Sequence, residues 1–296
     1  MSPGTGPTSA SWSRRSSSGR RSCWRATASP PPGWRPRPWP RWGRWTSRPA
    51  TGPGRRWPGA GGAAVADRLT DLAALLAALQ IGDSAFPTGG YTQSHGLEAA
   101  VAIGRVRDLP TAEAYLHSLL AGVVGPTDVV ALVHAATATD LGTVVAIDRA
   151  LFARKLAREP RQASQRAGRA LLAVLPALGV PSPLLRAYAE AVRSGRTPGV
   201  QPVAFGLVAG WLGLDPAVAA AVYLHSLLLS CVGALGRLLP VDHLALQGLV
   251  RRAPPLVQTV VARALATPWR RMATSAPEVE ILAMVHERTL MHAFAT

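Results

Sequence analysis

The chain has 296 residues, with 32 Lys and Arg against 16 Asp and Glu, a formal charge of +16. Twelve of those cations, all Arg, lie in positions 1–62, before the first carboxylate at Asp67, so 63–296 carries 20 cations against 16 anions and only +4. The polycation balance that would direct attention to nucleic acid or an anionic membrane therefore belongs to an arm. The remaining 234 residues are enough for one substantial core and too apolar for disorder.

Positions 1–62 hold seven of the nine Trp residues and runs such as PPPGWRPRPWPRWGRW. They contain no apolar stretch of the kind a secretory signal needs, and their Pro content works against an amphipathic transit helix. Three readings stand: translation from upstream of the true start, with Val65 as the expected beginning; a disordered arm; or an RNA-binding arm of Arg and aromatics. The expected organisation is an arm over 1–64 and a helical domain over 65–296.

From Asp67 the apolar period is helical. DRLTDLAALLAALQ (67–80) aligns Leu69, Leu72, Leu75, Leu76 and Leu79 on one face. A Gly/Pro loop follows at 82–91. Helices are expected at 92–102, 110–124, 127–138, 141–157, 159–176, 183–194, 202–212, 216–238, 242–266 and 277–293. Gly104, Gly125-Pro126, Gly142, Gly179, Gly195, Gly213 and Pro240 mark the joints. Alternating β-branched runs and Asn-Gly turns do not occur. The fold class is all-α, a single helical-bundle domain of about ten helices. The uncharged stretch after Asp215 has the length of a membrane span. Asp215-Pro216 nevertheless reads as an N-cap followed by Pro at N1, and His225 would sit mid-bilayer, so a core helix is expected.

Searches for chemistry return little. The single lysine, Lys155, has no Gly-rich loop before it, which excludes a Walker A motif. His286 and His292 are six residues apart, about 240° around a helix at 100° per residue, and so do not form a zincin pair. His225 and Cys231 share that spacing. GDSAF (82–86) lacks the last glycine of a nucleophile elbow, and the nearness in sequence of Asp83, Ser84 and His95 does not by itself make a triad. Cys23 and Cys231 exclude a disulfide framework and a Cys-x-x-Cys zinc site, and suit a reducing cytoplasm. Physics alone stops at a helical protein that binds other proteins, and no enzyme is indicated.

Four segments in order carry the chain further. LLAALQIGDSAFPTGGYTQSHGLEAAV (75–101) holds Pro87, Gly89, Gly90, Tyr91, Ser94, Gly96, Leu97 and Glu98. EPRQASQRAGRALL (159–172) holds Glu159, Arg161, Ser164, Gly168 and Arg169. PVAFGLVAGWLGL (202–214) leads into the helix ending GRLLP (236–240), with Gln247 beyond it. PEVEILAMVHERTLMHAF (277–294) holds Pro277, Met284, His286, Glu287 and Phe294. Together these resemble the urease accessory protein UreF family. The chain departs from that pattern at Val200-Gln201, at Val241-Asp242-His243 and at His292-Ala293-Phe294.

The resemblance implies an all-α, homodimeric, non-enzymatic chaperone of the cytoplasm. Such a protein bridges UreD (also called UreH) to the GTPase UreG, so that nickel is inserted into apo-urease, and it regulates GTP hydrolysis. It implies no stably bound cofactor: nickel is handled by the complex and GTP is bound by UreG. Neither nucleic acid nor membrane is a partner. The rival reading is a basic nucleic-acid-binding protein acting through the arm. By resemblance, partner-binding residues are Pro87, Gly89, Gly90, Tyr91, Ser94 and Glu98 in the loop and following helix. Glu159, Arg161, Ser164 and Arg169 supply a basic helix, and Met284, His286 and Phe294 a C-terminal helix. Tyr91, on a Pro/Gly-constrained loop, suits a protein surface, and the arginines suit either a docking edge or a phosphate.

Overall fold

A computed structural model describes residues 62–83, 86–87, 93–177, 179, 182–288 and 294. The arm over 1–61 and the residues Gly89, Gly90 and Tyr91 lie outside the described residues, as does His292. Among the described residues there are helices and no strands. The α-helices are α1 (Gly62–Gly82), α2 (Leu97–Ala102), α3 (Leu109–Leu119), α4 (Val130–Ala136), α5 (Leu141–Arg154), α6 (Arg158–Val174), α7 (Pro183–Arg193), α8 (Gln201–Trp211), α9 (Pro216–Leu238), α10 (His243–Arg252), α11 (Pro254–Ala266) and α12 (Pro277–His286).

Three boundaries differ from expectation, the first being that the helix expected from 92 begins only at Leu97. Gly125-Pro126 does not end a helix. Residues Leu120–Val129 form a π-helix that makes α3 and α4 one continuous rod. Pro126 has no N–H to give this rod, and the Gly122 carbonyl in the turn before it accepts from Ser275 N (2.7 Å). The wider π turn absorbs the proline within the rod. Conversely, the run 242–266 divides at Ala253, because Pro254 starts a new helix at its N1 position.

The core forms around α4, α8 and α9. At Gly206 and Gly210 of α8 an added Cβ would collide with the Leu132 and Ala136 carbonyls of α4. These glycines therefore set the close approach of the two helices. Val203, Ala204 and Phe205 are buried, and the Phe205 ring meets Tyr223 of α9 edge-on at 5.6 Å. The α9 start follows its sequence: Asp215 accepts from Ala217 N (2.7 Å) and Val218 N (3.4 Å). The rod Leu109–Ala136 and α9 are each long and apolar enough to cross a membrane, but their apolar windows are 72% and 56% buried inside the fold. Burial against the protein's own helices accounts for that apolarity.

The leucine face of α1 is turned outward. Leu72, Leu75, Leu76 and Leu79 are exposed, whereas Ala78 and Ile81 point inward. A Cβ on Gly82 would stand 2.5 Å from Val222 Cγ1, so α1 meets α9 through its small residues.

A buried carboxylate joins α5 to the loop before α8. Asp148, with no exposed surface, accepts from Thr197 Oγ1 (2.6 Å), Gly199 N (2.7 Å) and Val200 N (2.9 Å). Burial raises its carboxyl above the ordinary range against the pull of these donors. The departures at Val200 and Gln201 thus contribute through their backbones, Gln201 N donating to Ser164 Oγ (3.2 Å). Gly168 lies where a Cβ would strike the Gly199 carbonyl, so α6 packs tightly on this loop. Asp242 caps α10, accepting from Leu244 N (3.1 Å) and Ala245 N (3.3 Å).

Candidate functional site

The segments that carry the family resemblance meet at one place. His286, on the last turn of α12, is 1% exposed. Its Nε2 lies 2.9 Å from Glu98 Oε2 of α2, and its Nδ1 lies 2.6 Å from Glu159 Oε2 of α6. Residues 188 and 127 positions apart in sequence thereby share one imidazole. Burial opposes a charge on His286, but hydrogen bonds to Glu159 and Glu98, together with their charges, outweigh it and raise its pKa above 6.5. Glu98 Oε2 also accepts from Phe294 N (3.2 Å). The Phe294 ring is buried under the Arg237 guanidinium, 4.2 Å from its centroid.

A second contact runs from α12 to α6. The α6 N-cap is Ala157, which offers no side-chain acceptor. Glu287 fills that role from the end of α12: its Oε1 accepts from Arg158 N (2.6 Å) and Glu159 N (3.2 Å), and its Oε2 lies 3.5 Å from Arg158 Nε. A carboxylate here meets both the unpaired first-turn donors and the positive end of the helix dipole. Sequence reasoning matched Glu287 to the family but gave it no role. An alanine where a helix needs a cap was the signal that pointed to a distant one.

Val279, Leu282 and Ala283 bury the inner face of α12, and its outer face is exposed. Ile281, Met284 and Val285 are 57%, 37% and 39% exposed, and Leu156 beside them is 55% exposed. With Arg158, Glu287 and Arg288 they line one shallow concavity. An apolar patch with a charged rim is the surface expected of a docking face.

A second polar cluster was not foreseen. Lys155 Nζ pairs with Asp128 Oδ1 at 2.7 Å, and Tyr223 donates its hydroxyl to the same oxygen at 3.3 Å. A cavity of about 80 Å³ adjoins them, bordered also by Gln93, His95 and Thr127, with space for a few waters. Burial, and then the Lys155 charge, push the His95 imidazole down to about 4, so it is neutral. His95 and Gly96 adopt left-handed backbone (φ 52 and 82). The Tyr115 hydroxyl donates to the His95 carbonyl at 2.7 Å, at the point where a Cβ on Gly96 would intrude. A lone lysine among 31 arginines was the available signal.

The remaining expected site residues divide by exposure. Pro87, Arg169 and Met284 are exposed. Ser94, Ser164, His286 and Phe294 are buried and present no surface to a partner, while Glu98 and Glu159 are engaged by His286. Arg161 is half-buried, its guanidinium 5.4 Å from the Phe152 ring centroid and its Nη1 donating to the Lys155 carbonyl (3.5 Å). Among the described residues no group of three His, Cys, Asp or Glu side chains is placed to hold a metal ion. In the clasp the two carboxylates address opposite ring nitrogens and so cannot share one ion with the imidazole. His225 is exposed and Cys231 buried on the same helix, and burial lifts the Cys231 thiol to about 12.

A family model described as UreF matches residues 106–254. The urease accessory protein UreF of Trichodesmium erythraeum is 33% identical over 229 residues, covering 76% of this chain and 98% of that protein. UreF 1 of Brucella melitensis is 33% identical over 218 residues, 73% and 90% of the two chains. UreF of Paenarthrobacter aurescens is 34% identical over 213 residues, 72% and 94%.

Proposed function

The chain belongs to the UreF family of urease accessory proteins, and from that premise we propose that it is a cytoplasmic, non-enzymatic scaffold for nickel insertion into apo-urease. In this reading a dimer of the chain bridges UreD to UreG. Nickel passes through the assembly without a stable site in this chain, and UreG supplies the GTP. The exposed face of α12 receives UreD. The observation that carries this is the union of clasp and patch: Glu98, Glu159, His286 and Glu287 fix α12 from its inner side, while Ile281, Met284 and Val285 stay uncovered on its outer side. Fixing a helix while leaving apolar side chains bare pre-organises a binding surface, which lowers the ordering cost of association.

UreG is assigned to the 87–91 loop and the exposed arginines of α6. Arg166 and Arg169 are open to solvent, so they, rather than the engaged Arg161, are the guanidinium groups suited to influence GTP hydrolysis. Co-expression of the full chain with UreD and UreG, followed by size exclusion, tests the assignment. Met284→Asp is expected to abolish co-migration with UreD while leaving the far-ultraviolet circular dichroism helical. Undiminished UreD co-migration would remove α12 from the interface.

A further inference from the structure

We propose that the Glu98–His286–Glu159 clasp makes docking on the α12 face proton-dependent, the face losing its partner as the clasp gives up one proton in mild alkali. This rests on the reading of α12 as a docking surface. A neutral imidazole has one N–H and one acceptor nitrogen, whereas the imidazolium has two N–H groups. Here both nitrogens face a carboxylate oxygen, at 2.6 and 2.9 Å. Two protons must therefore lie in the clasp, either both on the ring or one on the ring and one on a carboxyl. The three groups titrate as a unit, whichever atom holds the second proton.

Removing that proton leaves a lone pair directed at a carboxylate, in a place where His286 is 1% exposed and water cannot intervene freely. The relief available is separation, and the movable part is α12. Among the described residues, the charged groups placed at the clasp are Glu98 from α2, Glu159 and Arg158 from α6, Glu287 from α12 itself and Arg237 of α9 above Phe294. Imidazole is the side chain of this set whose ordinary pKa falls near neutrality. The same ring lies one and two residues from the exposed Val285 and Met284, so a shift of the clasp displaces the docking face itself. Hydrolysis of urea releases ammonia and raises pH, so the device would reduce further maturation as the surroundings become alkaline.

Glu159→Gln isolates the effect. The new amide can donate to Nδ1 while the neutral ring donates Nε2–H to Glu98, so the clasp is satisfied without the second proton. Glu98→Gln is the second variant should the first fold poorly. In the full-length chain, hydrogen exchange of the 277–288 amides, corrected for intrinsic rates, and affinity for purified UreD are measured at about pH 6.5 and about pH 8.5. The wild type is expected to lose about tenfold in both protection and affinity, within the limit set by one linked proton over two pH units. The glutamine variant is expected to hold both within about twofold. Equal protection at the two pH values in the wild type overturns the proposal. Lost protection with unchanged affinity leaves a titrating clasp but overturns its coupling to docking. Absence of UreD binding at either pH overturns the docking reading on which the proposal rests, and the exchange data then report the clasp alone.

Discussion

Two carboxylate sites that join distant helices differ in what satisfies them. Asp148 is met by a hydroxyl and two backbone amides, donors that do not titrate. Glu98 and Glu159 are met by one imidazole between them, a donor whose second proton can be lost. The first arrangement fixes the loop before α8 under all ordinary conditions. The second adds its hold on α12 only while protonated, beside the buried Val279, Leu282 and Ala283. A carboxylate becomes a rivet or a switch according to its donor, and sequence position does not distinguish the two.

Removing the rivet should cost most. Asp148→Ala strands three donors in the interior, and urea denaturation is expected to show a loss of about 3 kcal/mol. A loss below about 1 kcal/mol would mean that water reaches Thr197 and Gly199. Both sites favour acid, in separate windows. The pKa of Asp148 is raised in the folded state, so its contribution grows as pH falls through that raised value. The pKa of His286 is also raised, so its contribution is complete below 6.5 and is lost as pH rises through the folded value. Stability of the wild type should therefore decline above pH 6.5, and stability of Glu159→Gln should not; parallel curves would place the titration elsewhere. Glu287→Ala removes the borrowed cap of α6 and should cost about 1 kcal/mol, read as a lowered melting temperature at unchanged pH dependence. Arg252→Ala is the smallest. Its paired hydrogen bonds to Glu113 (2.9 and 2.8 Å) are solvent-exposed, and a stability indistinguishable from wild type is expected.

Much of the helix plan was legible because caps and prolines act locally. Asp108, Asp140, Asp215 and Asp242 each cap a helix from within a few residues. The site was legible only in part. Glu98, Glu159, His286 and Glu287 could be noticed through family resemblance, but nothing in their spacing shows that they touch. The exposed leucines of α1 mislead for a related reason: a 3/4 period reports an apolar face, not what covers it.

The sequence by itself determined the helical class, the separation of a charged arm from a nearly balanced domain, and the helix starts that an Asp caps, such as Asp215 before α9, since hydrophobic period, charge and capping act over a few residues. Tertiary structure decided which carboxylate meets which donor, how α8 approaches α4, and that Pro126 lies inside a rod. Those outcomes depend on atoms that lie far apart along the chain, 127 and 188 residues in the clasp. The early +16 therefore says little about this domain. What matters to its conduct is one proton, shared by three side chains that only the fold brings together.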